Sequence, residues 1–182
     1  MVWVILAIIV LLVIFVIVTY NGLIRSRNQV ENAWSQIDVQ LKRRIDLIPN
    51  LVETVQAYAA HEKTTLEAVI NARNAAIAAP ATPAGQAAAD GQMTGALRQL
   101  FALGEAYPDL KANQNFLALQ EELSATEGRV AYSRQFYNDS VLSYNNKLQA
   151  FPTVFFARML KFDKREYFET DEAAREVPKV QF

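Results

Sequence analysis

The sequence predicts an all-α protein, an N-terminal transmembrane helix followed by an antiparallel up-down four-helix bundle, on three observations. Residues 1–18 carry no charge and almost nothing polar. Two later stretches repeat apolar residues in alternating threes and fours over many turns, the spacing of a helix face that packs against a neighbour. No stretch alternates with period two over the length of a strand, so nothing asks for a sheet.

The uncharged run is the first element. At ~1.5 Å per residue it forms a helix roughly 27 Å long, close to the ~30 Å hydrocarbon core of a bilayer. Trp3 and Tyr20 stand near its two ends, where amphipathic rings favour the headgroup level. A cleaved secretory signal would need a basic stretch before the run and small residues after it; Tyr20-Asn21 follows instead, so the anchor is expected to be retained. No Lys or Arg precedes the run, whereas Arg25, Arg27, Lys42, Arg43 and Arg44 follow it, which places Met1 outside and the rest of the chain in the cytoplasm. The chain has no cysteine, which excludes an acylated thiol, a disulfide and a thiolate metal site.

The second element is long. Val30, Trp34, Ile37, Leu41, Ile45, Ile48, Val52, Val55, Ala59, Leu66 and Val69 form one seam, which passes through Pro49 without a change of phase. A kink is expected at Pro49, where one backbone hydrogen bond is missing. Pro80, Pro83, Gly85 and Gly91 punctuate an Ala/Thr/Gly stretch over about 78–92, which reads as a flexible loop. A shorter helix is expected over 93–106. Tyr107-Pro108 then makes a corner, with Asp109 expected to cap the next helix. The second seam runs Phe116, Leu119, Leu123, Thr126, Val130, Ser133, Tyr137, Val141, Tyr144 and Leu148, and Pro152 opens a last helix. The expected organisation is an anchor over 1–20, a bundle over 21–162 and a weakly ordered tail over 163–182.

The formal net charge of −1 lacks the dominant basic face of a general nucleic-acid binder, so no nucleic acid is expected as a partner. His61-Glu62 begins like a zinc-protease motif, yet the position one turn on is Thr65 and His61 is the only histidine. No metal, cofactor or catalytic residue is therefore expected. Lys42, Arg43 and Arg44 point about 100° apart around a helix. Arg44 falls beside the seam and could be buried against Asp38, Asp46 or Glu127; docking of an anionic partner is the other reading. Asn28, Asn32, Asn138 and Asn145 are candidates for a polar layer that fixes register, or else lie on solvated faces. The candidate partner or polar-core residues are thus Asn32, Trp34, Asp38, Arg43, Arg44 and Asp46. Trp3, Tyr20, Phe155, Phe156, Arg158 and Lys161 are the candidate membrane-interface residues. The last four belong to a segment mixing aromatic and basic side chains, which suits either an interfacial helix or a cap on the bundle.

A resemblance is carried by the stretch from Ala33 to Val52, which includes Arg43-Arg44-Ile-Asp-Leu-Ile-Pro-Asn50, and by Tyr107-Pro-Asp-Leu-Lys-Ala-Asn113, Phe116, Leu119-Gln-Glu-Glu-Leu123, Tyr137-Asn138 and Phe151-Pro152. The chain resembles the LemA family of bacterial membrane proteins. The resemblance implies one amino-terminal anchor and a four-helix bundle in the bacterial inner membrane, and no known reaction. It allows association with HtpX-type membrane proteases or other envelope proteins. The expected function is a non-catalytic scaffold or adaptor at the cell envelope, with membrane lipid and envelope proteins as partners. The alternative is a self-assembling envelope protein that forms homo-oligomers or filaments.

Overall fold

Two uninterrupted apolar periodicities produce the two longest helices. The computed structural model describes residues 1–168, and among them every regular element is a helix: α1 (Val2–Gln56), α2 (Lys63–Ala78), α3 (Pro83–Gly104), α4 (Pro108–Lys111), α5 (Gln114–Gln149) and α6 (Thr153–Met159). The all-α expectation holds. The chain divides into two compact units, residues 1–36 with 133–167, and residues 37–132 with Phe168.

In the first unit, Leu23, Val30 and Ala33 of α1 are buried, as are Tyr137, Val141, Tyr144 and Leu148 of α5, each set at helical three-and-four spacing. The two helices are antiparallel: Lys147 Nζ donates to Ser26 Oγ at 3.2 Å, and further along Trp34 packs on Tyr137 with the rings tilted and their centroids 5.5 Å apart. Residues 1–15 are all exposed, and no residue of the apolar window is buried by the rest of the protein.

The second unit has one apolar core. Ile48, Leu51 and Val55 of α1, Leu66 and Val69 of α2, Met93, Leu97 and Leu100 of α3, and Phe116 and Leu123 of α5 form a single cluster. The first seam does not continue as one helix to Val69. The chain turns after Gln56, with exposed His61 in the turn, and α2 runs back so that Leu66 and Val69 join the cluster around Leu51 and Val55.

α1 runs through Pro49, whose ring nitrogen cannot donate to the carbonyl of Ile45 four residues back. Arg73 Nε of α2 donates to that carbonyl at 3.3 Å. A neighbouring helix thus satisfies the acceptor that the proline leaves free, as buried backbone groups require.

The expected flexible loop over 78–92 is mostly helix. Thr82 caps α3 by accepting from the Gly85 amide at 3.2 Å, and Pro83 occupies the first turn, where its missing N–H costs nothing. The alanines that follow are the strongest helix formers, and Ala87, Ala89 and Asp90 are buried. Gly85 is needed at the cap: a Cβ there would lie 2.9 Å from the Pro80 carbonyl oxygen. The cap of α5 is also not the expected one. Asp109 sits in the first turn of the four-residue α4, and Asn113 Oδ1 receives the Phe116 amide at 3.0 Å.

Candidate membrane-proximal site

The segment after α5 is built in two layers. In α6, Ala157 is buried and Phe156 partly so, while Phe155 and Met159 are 63% and 67% exposed, and Phe151, just before the helix, is 82% exposed. Phe156 lies 5.8 Å from Phe15, and Phe162 lies 6.0 Å from Tyr20, ring centroid to centroid. The inner rings of this segment therefore meet α1 where the apolar run ends. Its outer face carries the exposed rings together with exposed Arg158 and Lys161.

A tight C-terminal cap closes α6. The Phe162 amide donates to Ala157 O at 2.9 Å and the Lys161 amide to Arg158 O at 3.2 Å, the paired bonds of a Schellman turn. Lys161 occupies the left-handed position with φ 56°, which a glycine usually fills because a Cβ there crowds the backbone.

The chain beyond Lys161 is pinned to α5. Asn145 Nδ2 donates to Arg165 O and Asn145 Oδ1 accepts from Arg165 N, both at 3.0 Å, so one buried amide satisfies two backbone groups. Tyr137 Oη donates to Glu166 O at 2.9 Å, and burial raises its phenol pKa despite the opposing Arg165 charge, which keeps it a neutral donor. Arg165 Nη2 bonds Glu31 at 3.0 Å. The residues at the start of the expected weakly ordered tail, 163–166, are thus held in place, and 169–182 lie outside the described residues.

Between these pieces lies a cavity of about 210 Å³ lined by Arg27, Tyr144, Lys161, Asp163, Lys164 and Arg165, with Phe162 in its wall. Arg27 stands 5.9 Å over the Phe162 ring. Burial raises the Tyr144 pKa while Arg165 and Arg27 pull it down, so two guanidinium charges act on this phenol.

Of the membrane-interface candidates, Tyr20 and Phe156 are brought to the aromatic contacts with α1, Phe155 and Arg158 face outward from α6, Lys161 lines the cavity, and Trp3 is 82% exposed at the other end of the apolar run. The partner candidates do not converge on one site. In the first unit Asn32 is exposed and Trp34 is half-buried against Tyr137. In the second unit Asp38 and Asp46 are exposed, and Arg43 pairs with Glu122 on the surface.

Arg44 is buried, but its partner is none of the carboxylates expected: Nη1 meets Asp90 Oδ1 at 2.7 Å and Thr94 Oγ1 at 3.0 Å, with both charged side chains 3% exposed or less. Of the two readings of the asparagines, Asn28 and Asn32 follow the solvated one, and buried Asn145 serves the backbone. Among the described residues no cluster of His, Asp or Glu could hold a metal ion. Arg27 and Tyr144 are the cavity residues that sequence reading missed in this role. Their only signals were a place beside the anchor and a place in the second seam.

An uncovered apolar helix that continues into an all-helical body fits a membrane-anchored helical protein. Residues 33–182 match the LemA family, and the chain belongs to that family. The match begins beyond the apolar run. The chain is 28% identical to Protein LemA of Metamycoplasma hominis, over 85% of this chain and 71% of that protein. It is 26% identical to Magnetosome protein MamQ of Magnetospirillum gryphiswaldense, and 25% to Magnetosome protein MamQ 2 of Paramagnetospirillum magneticum, over 85% of this chain and 66% of each.

Proposed function

We propose that this chain is a single-pass, membrane-anchored helical scaffold or adaptor of the bacterial inner membrane, with no catalytic role and with its helical units in the cytoplasm. The observation that carries the reading is the apolar run of α1, none of which the fold buries although it is helically continuous with the packed first unit. A stretch of that hydropathy left uncovered by its own fold calls for lipid. The contacts of Phe156 with Phe15 and of Phe162 with Tyr20 hold the segment at the level where the run ends, and its exposed Phe151, Phe155 and Met159 add a second apolar surface. That arrangement favours the interfacial reading of the segment over a simple bundle cap. The names of the relatives describe no reaction, which supports a binding role.

Cross-linking in native membranes, followed by identification of the attached proteins, tests the reading. The expected result is repeated attachment of the same few membrane or envelope proteins, an HtpX-type protease among the candidates. Adducts with copies of this chain alone, with a particle size that grows with concentration in detergent, would support self-assembly instead. Release of the full chain from membranes by alkaline carbonate would overturn the anchor.

A further inference from the structure

We propose that the cavity lined by Arg27, Tyr144, Lys161, Lys164 and Arg165 is a binding site for the phosphate of an anionic phospholipid headgroup. The proposal rests on the anchor reading and adds a ligand to it. The depth of the site is the first argument. Phe162 in the cavity wall meets Tyr20 edge to face, at the end of the apolar run. Arg27 lies seven residues further along α1, about 10 Å by helical rise, within reach of the headgroup layer for long cationic side chains.

Charge is the second argument. Four cations meet here, Arg27, Lys161, Lys164 and Arg165, against Asp163 and the nearby Glu31. Glu31 pairs with Arg165 at 3.0 Å and with Arg27 at 3.8 Å, which leaves the two lysines to supply most of the attraction for an incoming anion. The guanidinium of Arg27 is fixed over an aromatic ring, an arrangement that presents planar donors to a phosphate with little further ordering.

The α6 cap also carries backbone strain. A lysine stands at φ 56°, in the one position of the α6 cap that favours glycine. A strained residue whose side chain lines a cationic cavity is a reasonable mark of a binding role. The source of the phosphate follows from the neighbouring surface. Phe151, Phe155 and Met159 stand exposed around α6, and they offer apolar contact that an acyl chain uses and a free phosphate ion does not.

The test uses the full chain in nanodiscs of phosphatidylcholine containing a minor share of phosphatidylglycerol, with native mass spectrometry of the lipids retained when the disc is stripped. Phosphatidylglycerol should be enriched on the wild-type chain. Lys161→Gly and Lys164→Gln should each lower the enrichment about fivefold, the worth of one lysine near an anionic surface. Lys161→Gly should leave helical content and melting temperature unchanged or raised, so that lost enrichment does not report lost folding. Equal retention of the two lipids, or enrichment unchanged in both variants, overturns the site while the anchor reading stands. Displacement of the lipid by millimolar inorganic phosphate overturns the lipid as the source. Failure of the chain to enter the disc overturns the anchor and the site together.

Discussion

Pro49 shows how a single missing hydrogen is made good across the fold. The Ile45 carbonyl left without its helical donor accepts from Arg73, so the guanidinium is worth about one net hydrogen bond there. Arg73→Leu is expected to destabilise the protein by about 1–2 kcal/mol in chemical denaturation. In a Pro49→Ala background the same change should cost less, because the alanine amide restores the helical bond; equal costs in the two backgrounds would separate Arg73 from the proline. Arg44 and Asp90 pose the opposite problem. Both are charged inside the core of the second unit, and removing Asp90 takes away the carboxylate that balances the buried Arg44 charge, with only the Thr94 hydroxyl bonded to the same Nη1. Asp90→Ala should cost about 3–5 kcal/mol, whereas the paired change Arg44→Met with Asp90→Leu should come much closer to neutral. Arg44 itself was readable from its place beside the seam. Its partner was not, since Asp90 sits in a stretch that glycine and proline counts assigned to a loop.

At the level of elements, that stretch is the clearest lesson. Prolines and glycines were read as breaks, although Thr82-Pro83 is equally a helix start, with a hydroxyl cap and a proline where no N–H is needed. Composition alone could not choose between a loop and a capped alanine helix. Burial of Ala87 and Ala89 chose. Thr82→Ala should lower stability by about 1 kcal/mol through the lost cap. Gly91, where an added Cβ meets nothing within 4 Å, should give about 0.5–1 kcal/mol of added stability as Gly91→Ala. Gly104→Ala should move the other way, because its methyl would lie 2.8 Å from the Phe116 ring. Denaturation midpoints of the three variants check the assignment of α3. If Gly91→Ala destabilises, the helix is not formed through that residue. By contrast α5 and the run of α1 up to Gln56 were legible from spacing, because the same apolar interval recurs over many turns, while the turn after Gln56 was not, because Ala59, Leu66 and Val69 keep that interval across it.

For the molecule as a whole, the positive residues after the apolar run set the expected side of the membrane. Protease added to intact spheroplasts should leave the connection between α2 and α3 uncut, and cutting should appear only after the membrane is opened. Cleavage there in intact spheroplasts would place the helical units outside. The anchor was legible because lipid sets its length and polarity locally. The cationic cavity was only half legible: the aromatic and basic residues around Phe156 and Lys161 stood together in sequence, while Arg27 and Tyr144 join them only because α1 and α5 run antiparallel past each other in the first unit.

α1 has no break between Phe15, near the end of the span, and Leu23, buried in the first unit. Each residue of such a helix turns it by about 100° and advances it by about 1.5 Å. The azimuth of the anchor is therefore locked to the packed face at Leu23, and the contacts of Phe15 with Phe156 and of Tyr20 with Phe162 hold the same phase. One residue inserted beside Gly22 would swing the whole span by about a quarter turn, whereas seven would return it to within about 20°. Any neighbour met inside the bilayer is met on one chosen side, and the span works as a keyed shaft where a flexible tether would leave its facing to chance.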